Sequence, residues 1–455
     1  MQPEQVRTAA QARAIVEERG LQHVKVGVFD NDGILRGKYI DRDKFFAALD
    51  KGFGFCDVVL GWDSSDQQYD NVSFTGWHTA FPDAQVRLLP QSCRALPLEG
   101  NMLLFLGEFS GNAEQVCPRA VLRRVLERAA TLGFVASAAA EFEFFVFAET
   151  PDSVRHKGYR GLSNLSPGYF GYSMLRSGVH AELYQALLQL AADMRMPIEG
   201  LHAETGPGVI EAALHYTEAL EAADRAALFK TFVKVLAQRR GLMATFMAKW
   251  SQQLPGQSGH LHVSLARGDG SAVFYDERKP QTIADELRWF VGGQQALMPE
   301  LLAMVASNVN SYSRLVPGYW APTAATWGIE NRTCALRVIL GGPKSQRVEY
   351  RVAAADINPY LAIAVAIGSG LWGIEHRIEP DEPISGNSYE RKLPAKRQLP
   401  RTLGEAADRL ARSRVAQQLF GEPFVAHFAA SREWEEREFR RAVTDWELAR
   451  YFEII

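Results

Sequence analysis

The sequence has few cysteines and no pattern among them. Only four cysteines occur in 455 residues, with no Cys-x-x-Cys pair and no clustering with histidine. A disulfide framework and a thiolate zinc site both need such spacing, so neither is predicted. The first twenty residues carry charges that would interrupt the apolar stretch of a secretory signal. We therefore expect a cytoplasmic protein.

An excess of charge and a long apolar run are also missing. The 50 Lys and Arg residues nearly balance 53 Asp and Glu residues, and a net charge of -3 gives no reason to bind nucleic acid or an anionic membrane. The longest uncharged stretch, between Asp356 and Glu375, contains proline and glycines and is short for a bilayer span. It predicts a buried helix.

Common nucleotide and nucleophile motifs are absent as well. We find no GxxxxGK[ST] loop, no GxSxG elbow and no GxGxxG turn, and the Gly341 to Ser345 segment has the wrong spacing for a phosphate loop. A nucleotide, if one binds, must be held in another way.

Helical and strand patterns are mixed along the chain without a regular βαβ alternation, which favours an α+β fold. With 47% hydrophobic residues, the chain can build a large core. We predict a small β-rich domain over residues 1–112 and a large domain over residues 113–455. The charge-dense stretch 431–441 is predicted to be a solvated helix. Strands are predicted at 24–29, 34–40, 56–60, 102–107, 134–147, 260–265 and 348–352, and helices at 6–18, 118–128, 180–194, 216–241, 281–297 and 359–373.

The first chemically informative segment is the strand pattern around Glu141 and Glu143. Side chains alternate along a strand, so these two carboxylates share one face while Phe142 and Phe144 share the other. Neighbouring carboxylates in an apolar segment raise each other's pKa unless a cation neutralises them, and magnesium or manganese ions suit such a pair. A strand with one solvated face is the alternative.

Two further segments add acids and imidazoles. The Gly206-Pro207-Gly208 turn brings Glu204 and Glu211 towards one point, although a surface loop would explain these acids too. A second strand pattern places His260 and His262 on one face, where neutral imidazoles could join carboxylates around a metal or serve only a structural role.

Five arginines lie within 38 positions, and two of them flank Glu349. Guanidinium groups bind carboxylate and phosphate bidentately, whereas structural ion pairs would be the ordinary explanation. Carboxylates that could bind metal ions, together with arginines that could bind anions, indicate metal-assisted phosphoryl transfer. The arginines are Arg314, Arg332, Arg337, Arg347 and Arg351.

With these motifs, the chain resembles the glutamine synthetase family. The matching stretches occur in the family's order and cover most of the large domain, and the first quarter is similar, more loosely, to the family's β-grasp domain. They are Glu141-Phe-Glu143, His202-Ala-Glu204 through Glu211, Ala244 to Lys249, His260 to Leu265, Asn310 to Gly318, Asn331-Arg332-Thr333 and Glu349-Tyr-Arg351.

The resemblance implies a fold, a reaction and cofactors. It implies a β-grasp domain over 1–112, and a catalytic domain over 113–455 with an antiparallel sheet lining the active site. ATP would phosphorylate the γ-carboxylate of glutamate, and an amine would then attack the γ-glutamyl phosphate. The resemblance also implies two or more Mg²⁺ or Mn²⁺ ions and a homo-oligomer, a dodecamer of two hexameric rings.

Residue roles follow from the matched motifs in the same way. Glu143, Glu204 and Glu211 would hold one metal, and Glu141, His260 and Glu349 the other. Arg332, Arg337 and Arg351 would be catalytic. Glutamate and acceptor binding would involve Gly256, Arg314, Trp320 and Arg351, and nucleotide binding Ser264, Arg337, Lys344 and Arg347.

One departure from the family pattern bears on the acceptor. Ammonia-using members carry glutamate directly after Pro-Gly-Tyr, whereas this chain has Trp320 there. An indole cannot accept a proton but can contact an alkyl amine or its ammonium group. Together with a resemblance of the Trp62 to Asn71 and Thr444 to Glu447 segments, this favours the γ-glutamylpolyamine synthetase branch, with a small amine or polyamine as acceptor. Trp320 could instead only pack under a loop, and Asp63 could supply a second acceptor-site carboxylate.

The sequence leaves two alternatives open. A true glutamine synthetase would use ammonium, and a catalytically silent relative would serve a structural role. Retention of all the metal-ligand candidates speaks against the silent relative.

Overall fold

The computed structural model describes residues 1–455 and contains two β-sheets. The first sheet has the strand order β2-β1-β5-β4-β3, in which only β1 and β5 are parallel. The strands predicted at 24–29 and 34–40 are present as the antiparallel pair β1–β2. Its strands are β1 (His23–Phe29), β2 (Leu35–Asp41), β3 (Phe53–Cys56), β4 (Asp83–Ala95) and β5 (Leu103–Phe109).

Two expectations for this sheet were wrong or incomplete. The predicted strand at 56–60 is a 3-10 helix, Asp57–Leu60, that follows the short strand β3. A short apolar run suits a buried helical turn as well as a strand, so periodicity could not separate them. The long strand β4 was missed because Pro90 and a register shift between Leu89 and Arg94 interrupt its pattern.

The second sheet forms the framework of the large part of the molecule. Its order is β12-β13-β14-β11-β6-β8-β7, and β9 and β10 also pair with β6. All pairs are antiparallel except β12 with β13. The strands are β6 (Phe134–Phe147), β7 (Ile198–Ala203), β8 (Val209–Leu214), β9 (Thr217–Glu218), β10 (Met243–Thr245), β11 (Gly259–Arg267), β12 (Trp327–Ile329), β13 (Leu336–Ile339) and β14 (Arg347–Tyr350).

Fourteen α-helices surround the sheets. The uncharged stretch forms α10, almost entirely buried as predicted, with Pro359 in its first turn. None of the helices is both long enough and apolar enough to span a membrane. The helices are α1 (Ala9–Glu18), α2 (Arg42–Lys51), α3 (Pro118–Thr131), α4 (Pro151–His156), α5 (Met174–Val179), α6 (Ala181–Asp193), α7 (Ala219–Arg239), α8 (Asp285–Leu301), α9 (Val309–Arg314), α10 (Pro359–His376), α11 (Leu403–Arg412), α12 (Arg414–Phe420), α13 (Glu422–Arg441) and α14 (Asp445–Tyr451).

The apolar side chains form two main cores of unequal size. The large core contains 86 buried residues and the small one 24, the latter drawn from between Val6 and Ala120. Leu104 and Leu106 of β5 belong to the large core, whereas Leu103 and Phe105 belong to the small one. The first sheet therefore packs one face inward on its own helices and the other against the rest of the chain.

The prediction of a solvated helix at 431–441 was wrong in part, because the helix is present but one of its faces is buried. It is the second half of α13, and Arg432 is only 1% exposed. The Arg432 guanidinium pairs with Asp32 Oδ1 at 2.8 Å and donates to the Ser307 carbonyl. A charge-dense sequence cannot reveal that one of its charges faces inward, because the partner lies 400 positions away in the chain.

Candidate active site

Strand β6 holds the centre of the site. Phe142 and Phe144 are fully buried and pack on Phe229 and Phe246, with ring centroids 5.0 to 6.4 Å apart. This packing fixes the alternation of the strand, so Glu141 and Glu143 project from the opposite face into a cavity. The shared face predicted for the two carboxylates is confirmed.

A hairpin of β7 and β8 brings two further carboxylates to this face. Gly208 has φ 71°, and a Cβ there would lie 2.6 Å from the Val146 carbonyl, so the turn between Glu204 and Glu211 needs glycine. Glu211 pairs in register with Glu143, and His202 Nε2 lies 3.0 Å from Glu204 and 3.4 Å from Glu211. The ligand atoms of His202, Glu204 and Glu211 lie within 4.8 Å of one another, and we call these three residues the hairpin group.

Strands β11 and β14 complete the opposite side. His260 pairs in register with Glu141, and its Nδ1 lies 3.2 Å from Glu141 and 3.4 Å from Glu349. His262 Nε2 lies 3.7 Å from Glu141 Oε2. Ligand atoms of Glu141, His262 and Glu349 lie within 4.8 Å of one another, and we call these residues the strand group.

Crowding of the carboxylates perturbs their proton affinities. Burial, together with the charges of Glu141, Glu143 and other acids, raises the pKa of Glu211 to about 10. Burial opposes ionisation of Glu349, but His260 and Arg351 outweigh it and lower the pKa of Glu349 to about 2. Burial and the nearby Arg351 lower the pKa of His260 to about 4, so this imidazole is neutral.

The arrangement of these carboxylates and imidazoles in the structure suits divalent cations. Several carboxylates face one another with too few fixed cations among them, and a bound cation would relieve the repulsion that raises the pKa of Glu211. His260 Nε2 is buried without a hydrogen-bond partner. Carboxylate oxygens with imidazole nitrogen form a donor set suited to Mg²⁺ or Mn²⁺.

Four of the predicted arginines lie around these acids, and they differ in burial and in ion pairing. Arg351 and Arg337 both pair with Glu349, the latter at 3.1 Å. Arg314 is 3% exposed and donates to the carbonyls of Val352 and Arg351, at 2.9 and 3.1 Å. Arg332 is exposed and forms no ion pair, which leaves its charge free for a ligand.

Gly256 lies against Arg314 and has no room for a side chain. A Cβ at this position would lie 2.6 Å from Arg314 Cγ and 2.9 Å from the Ala248 carbonyl. The glycine therefore allows the buried arginine to reach its place beside the acids.

Two cavities meet at the sheet. The first, of about 630 Å³, contains all six predicted metal ligands. The second, of about 410 Å³, contains Ser264 and Lys344. Glu141, His262 and Arg347 line both, so the two cavities join at these side chains. The first cavity is also lined by Gly256, Arg314, Trp320, Arg332, Arg337 and Arg351.

Arg337 and Asp63 do not line the cavities that match their predicted nucleotide and acceptor roles. Arg337, also predicted to contact the nucleotide, lines only the first cavity. Asp63 lines neither of these cavities and lies instead at a separate one. Its carboxylate accepts a hydrogen bond from Trp434 Nε1 at 3.3 Å.

Sequence reasoning missed His202, Tyr172 and Tyr319 as site residues, and it left His262 out of the assigned metal-ligand set. The Tyr172 ring stacks on His202 with centroids 4.3 Å apart and an interplanar angle of 9°. The signal available for Tyr172 was the aromatic run Tyr169-Phe-Gly-Tyr172.

Comparison with known proteins agrees with this architecture. The family model for the glutamine synthetase catalytic domain matches residues 115–451. Type-1 glutamine synthetase 2 of Dictyostelium discoideum is 46% identical, covering 95% of this chain and 84% of that protein. A glutamate–isopropylamine ligase of a Pseudomonas species is 34% identical over the full length of both. A solved structure described as apo GmaS without ligand has a TM-score of 0.85 and 26% identity, covering 97% of this chain and 99% of that one.

The sheet, the paired acid groups and these matches define an ATP-dependent carbon–nitrogen ligase. The chain belongs to the glutamine synthetase family, and the predicted resemblance to its glutamate–amine branch is confirmed.

Proposed function

We propose that this protein is a glutamate–amine ligase, which transfers the γ-glutamyl group to an organic amine or polyamine. The observation that carries the proposal is Trp320, which lines the first cavity where ammonia-using relatives have a carboxylate. An aromatic wall favours the carbon substituent of an amine over a bare ammonium ion.

The proposed reaction has two balanced steps. An oxygen of the glutamate γ-carboxylate attacks the γ-phosphorus of ATP, and the bond to the leaving ADP oxygen breaks. The amine nitrogen then attacks the acyl carbon, the C–O bond breaks, inorganic phosphate leaves and the nitrogen loses a proton. Arg332 and Arg337 would balance charge on the transferring group, and Ser264, Lys344 and Arg347 would bind the nucleotide in the second cavity.

Family members use ATP with divalent metal ions, and the acid groups support the same cofactors here. Glu143, Glu204 and Glu211 would hold one ion. Glu141, His260 and Glu349 would hold the second, and His262, whose Nε2 lies 3.7 Å from Glu141 Oε2, would add a second imidazole there. When bound, the ions supply charge neutralisation for phosphate and carboxylate oxygens.

Glutamate would lie over Gly256 in the first cavity. Arg314 is held rigidly by two backbone carbonyls, and Arg351 is held by Glu349. Both guanidinium groups are therefore pre-organised to orient a carboxylate substrate.

We further propose the family's domain arrangement and assembly: a β-grasp domain over 1–112, a catalytic domain over 113–455, and a dodecamer of two hexameric rings. Asp63 lies outside this chain's own active cavity, as it would if it contributed to a neighbouring subunit's site.

Phosphate release with glutamate and ATP tests the proposal. The acceptors to compare are ammonium, ethanolamine, putrescine and simple monoamines. Phosphate release should be fastest with one of the organic amines and slower with ammonium. Ammonium as the best acceptor would overturn it. Trp320→Glu should lower kcat/KM for amines and raise it for ammonium, while Trp77→Glu, at an exposed position outside the cavity, is the matched control.

A true glutamine synthetase is the second candidate, because the Dictyostelium relative of that name is 46% identical. It predicts phosphate release with ammonium alone and little effect of organic amines. A catalytically silent relative predicts no ATP-dependent turnover with any acceptor.

A further inference from the structure

The segment between α9 and β12 carries Tyr319 and Trp320 into the first cavity. We call residues 317–322 the acceptor loop. No backbone group of this loop takes part in a backbone–backbone hydrogen bond. Trp320 has φ 59°, a left-handed conformation that costs free energy for a bulky residue. Side chains from other parts of the chain must therefore hold the loop in its place.

Lys249 is one of the side chains that hold the acceptor loop. Its Nζ lies 4.4 Å from the centre of the Tyr319 ring, a distance at which an ammonium group and an aromatic ring attract each other. Lys249 is only 7% exposed. Burial lowers the pKa of its ammonium group, and no neighbouring carboxylate opposes that effect. Buried lysines are ordinarily paired with an acid, so the ring takes the place of the acid here.

The same ammonium group reaches the turn that contains Gly256. Lys249 Nζ donates to the Leu254 carbonyl at 2.6 Å, two residues before Gly256. The backbone of Lys249 is itself fixed, because its N–H donates to Asn310 Oδ1 at 2.8 Å and its carbonyl accepts from Asn310 Nδ2 at 2.7 Å. Lys249 therefore joins the proposed glutamate side of the first cavity to its acceptor side.

A second contact holds the far end of the acceptor loop. The Tyr389 hydroxyl donates to the Ala321 carbonyl at 3.1 Å, and Ala321 is 1% exposed. All these groups belong to one chain. A neighbouring subunit that completes the acceptor site would therefore meet a loop whose position is already set from within.

We infer that Lys249 is a positioning residue for the second step of the reaction, which holds the acceptor loop so that an amine rather than water reaches the γ-glutamyl phosphate. The inference rests on the proposed ligase function and adds a residue to it. With the loop displaced, a water oxygen attacks the acyl carbon, the C–O bond to phosphate breaks, and glutamate and inorganic phosphate form with loss of a proton. ATP is then consumed without an amide product.

The ratio of phosphate released to γ-glutamyl amide formed measures this positioning. With saturating glutamate and MgATP and the best acceptor, the parent protein should release phosphate and form amide in equal amounts. Lys249→Met removes the charge and keeps an unbranched side chain. It should raise both the ratio and the KM for the acceptor by about two- to thirtyfold, the range of a cation–π contact.

Arg377→Met is the matched control for Lys249→Met. It removes an exposed cation–π contact, with Trp289, outside both cavities of the active site. It should leave the ratio and the acceptor KM unchanged.

A double-mutant cycle with Tyr319 separates positioning from a purely structural role. Tyr319→Leu should have the same effect as Lys249→Met, and the two together no larger effect than either alone, because each removes the same contact. Tyr319→Phe should behave as the parent, since phenylalanine keeps the ring face. Because Tyr319 is 42% exposed, the contrast between Tyr319→Leu and Tyr319→Phe gives the test even where Lys249→Met fails to fold. Effects of Lys249→Met and Tyr319→Leu that multiply, or a Tyr319→Phe protein that behaves as Tyr319→Leu, would overturn the inference.

Failure of the proposed function would look different. Ammonium as the best acceptor, or no turnover with any amine, would overturn the ligase proposal whatever the ratio. An unchanged ratio and acceptor KM in Lys249→Met, with an organic amine as the best acceptor of the parent, would overturn the inference and leave the ligase proposal standing.

Discussion

Glu211 links the electrostatics of the site to the stability of the metal-free protein. Its pKa is raised from 4.5 to about 10, so the folded chain binds this proton more tightly than the unfolded chain. Between these values, stability must fall as pH rises. With metal chelated, we expect the Tm to fall between pH 6 and pH 9, less so in Glu211→Gln. Differential scanning fluorimetry with and without Mg²⁺ would measure this.

Magnesium should remove most of that pH dependence in the parent protein but not stabilise Glu211→Gln to the same extent. The variant Glu433→Gln, at an exposed position outside both cavities of the active site, is the control. An equal slope of Tm against pH in parent and Glu211→Gln would contradict the prediction.

Gly256 offers a steric test at the same scale. In Gly256→Ala the new Cβ would lie 2.6 Å from Arg314 Cγ, so the arginine must shift. We expect a loss of about 1 to 3 kcal/mol in unfolding free energy and a higher KM for glutamate, measured by chemical denaturation and steady-state kinetics. Gly178→Ala is the control, because its Cβ would meet nothing within 4 Å.

At the scale of elements, α13 and the hairpin β1–β2 are joined by an ion pair in which the arginine is buried and the aspartate is partly buried. Arg432 pairs with Asp32 at 2.8 Å, and Asn358, which caps α10, donates to the carbonyls of Asp30 and Asn31. Removing one charge of a buried pair leaves the other uncompensated.

Arg432→Met should therefore cost about 3 to 5 kcal/mol in unfolding free energy, and the double variant Asp32→Asn with Arg432→Met should cost less than the single one. Urea unfolding of the four proteins of this cycle measures the coupling. Arg440→Ala, at an exposed pair with Glu436, should cost under about 1 kcal/mol. Additive effects of the two substitutions would refute the coupling.

At the scale of the whole molecule, the chain exposes apolar side chains at its C-terminal end. Phe452, Ile454 and Ile455 are 84%, 82% and 93% exposed, and Trp446 of α14 is 62% exposed. Clustered exposed apolar residues are typical of protein–protein interfaces.

We expect light scattering to give about twelve times the chain mass of 50.6 kDa, in line with the proposed dodecamer. Removal of residues 452–455 should lower that mass if the exposed terminus is an assembly contact. A single-chain mass for the intact protein would exclude the proposed assembly.

Much of the site could be predicted because it rests on local periodicity. The period of two placed Glu141 with Glu143, and His260 with His262, on the correct faces, and the Gly-Pro-Gly turn brought Glu204 and Glu211 together. The strand β4 and the inward face of Arg432 could not be predicted in this way, because a bulge and a distant partner determine them.

The sequence by itself therefore determined which side chains share a face, where the chain turns, and that a tryptophan, Trp320, follows Pro317-Gly318-Tyr319. Only the tertiary structure decided that β6 lies between β8 and β11, which sets Glu211 opposite Glu143 and His260 opposite Glu141. It also decided that Tyr172 stacks on His202. The physical reason is that strand order and register depend on pairings between distant segments, and no local pattern encodes them.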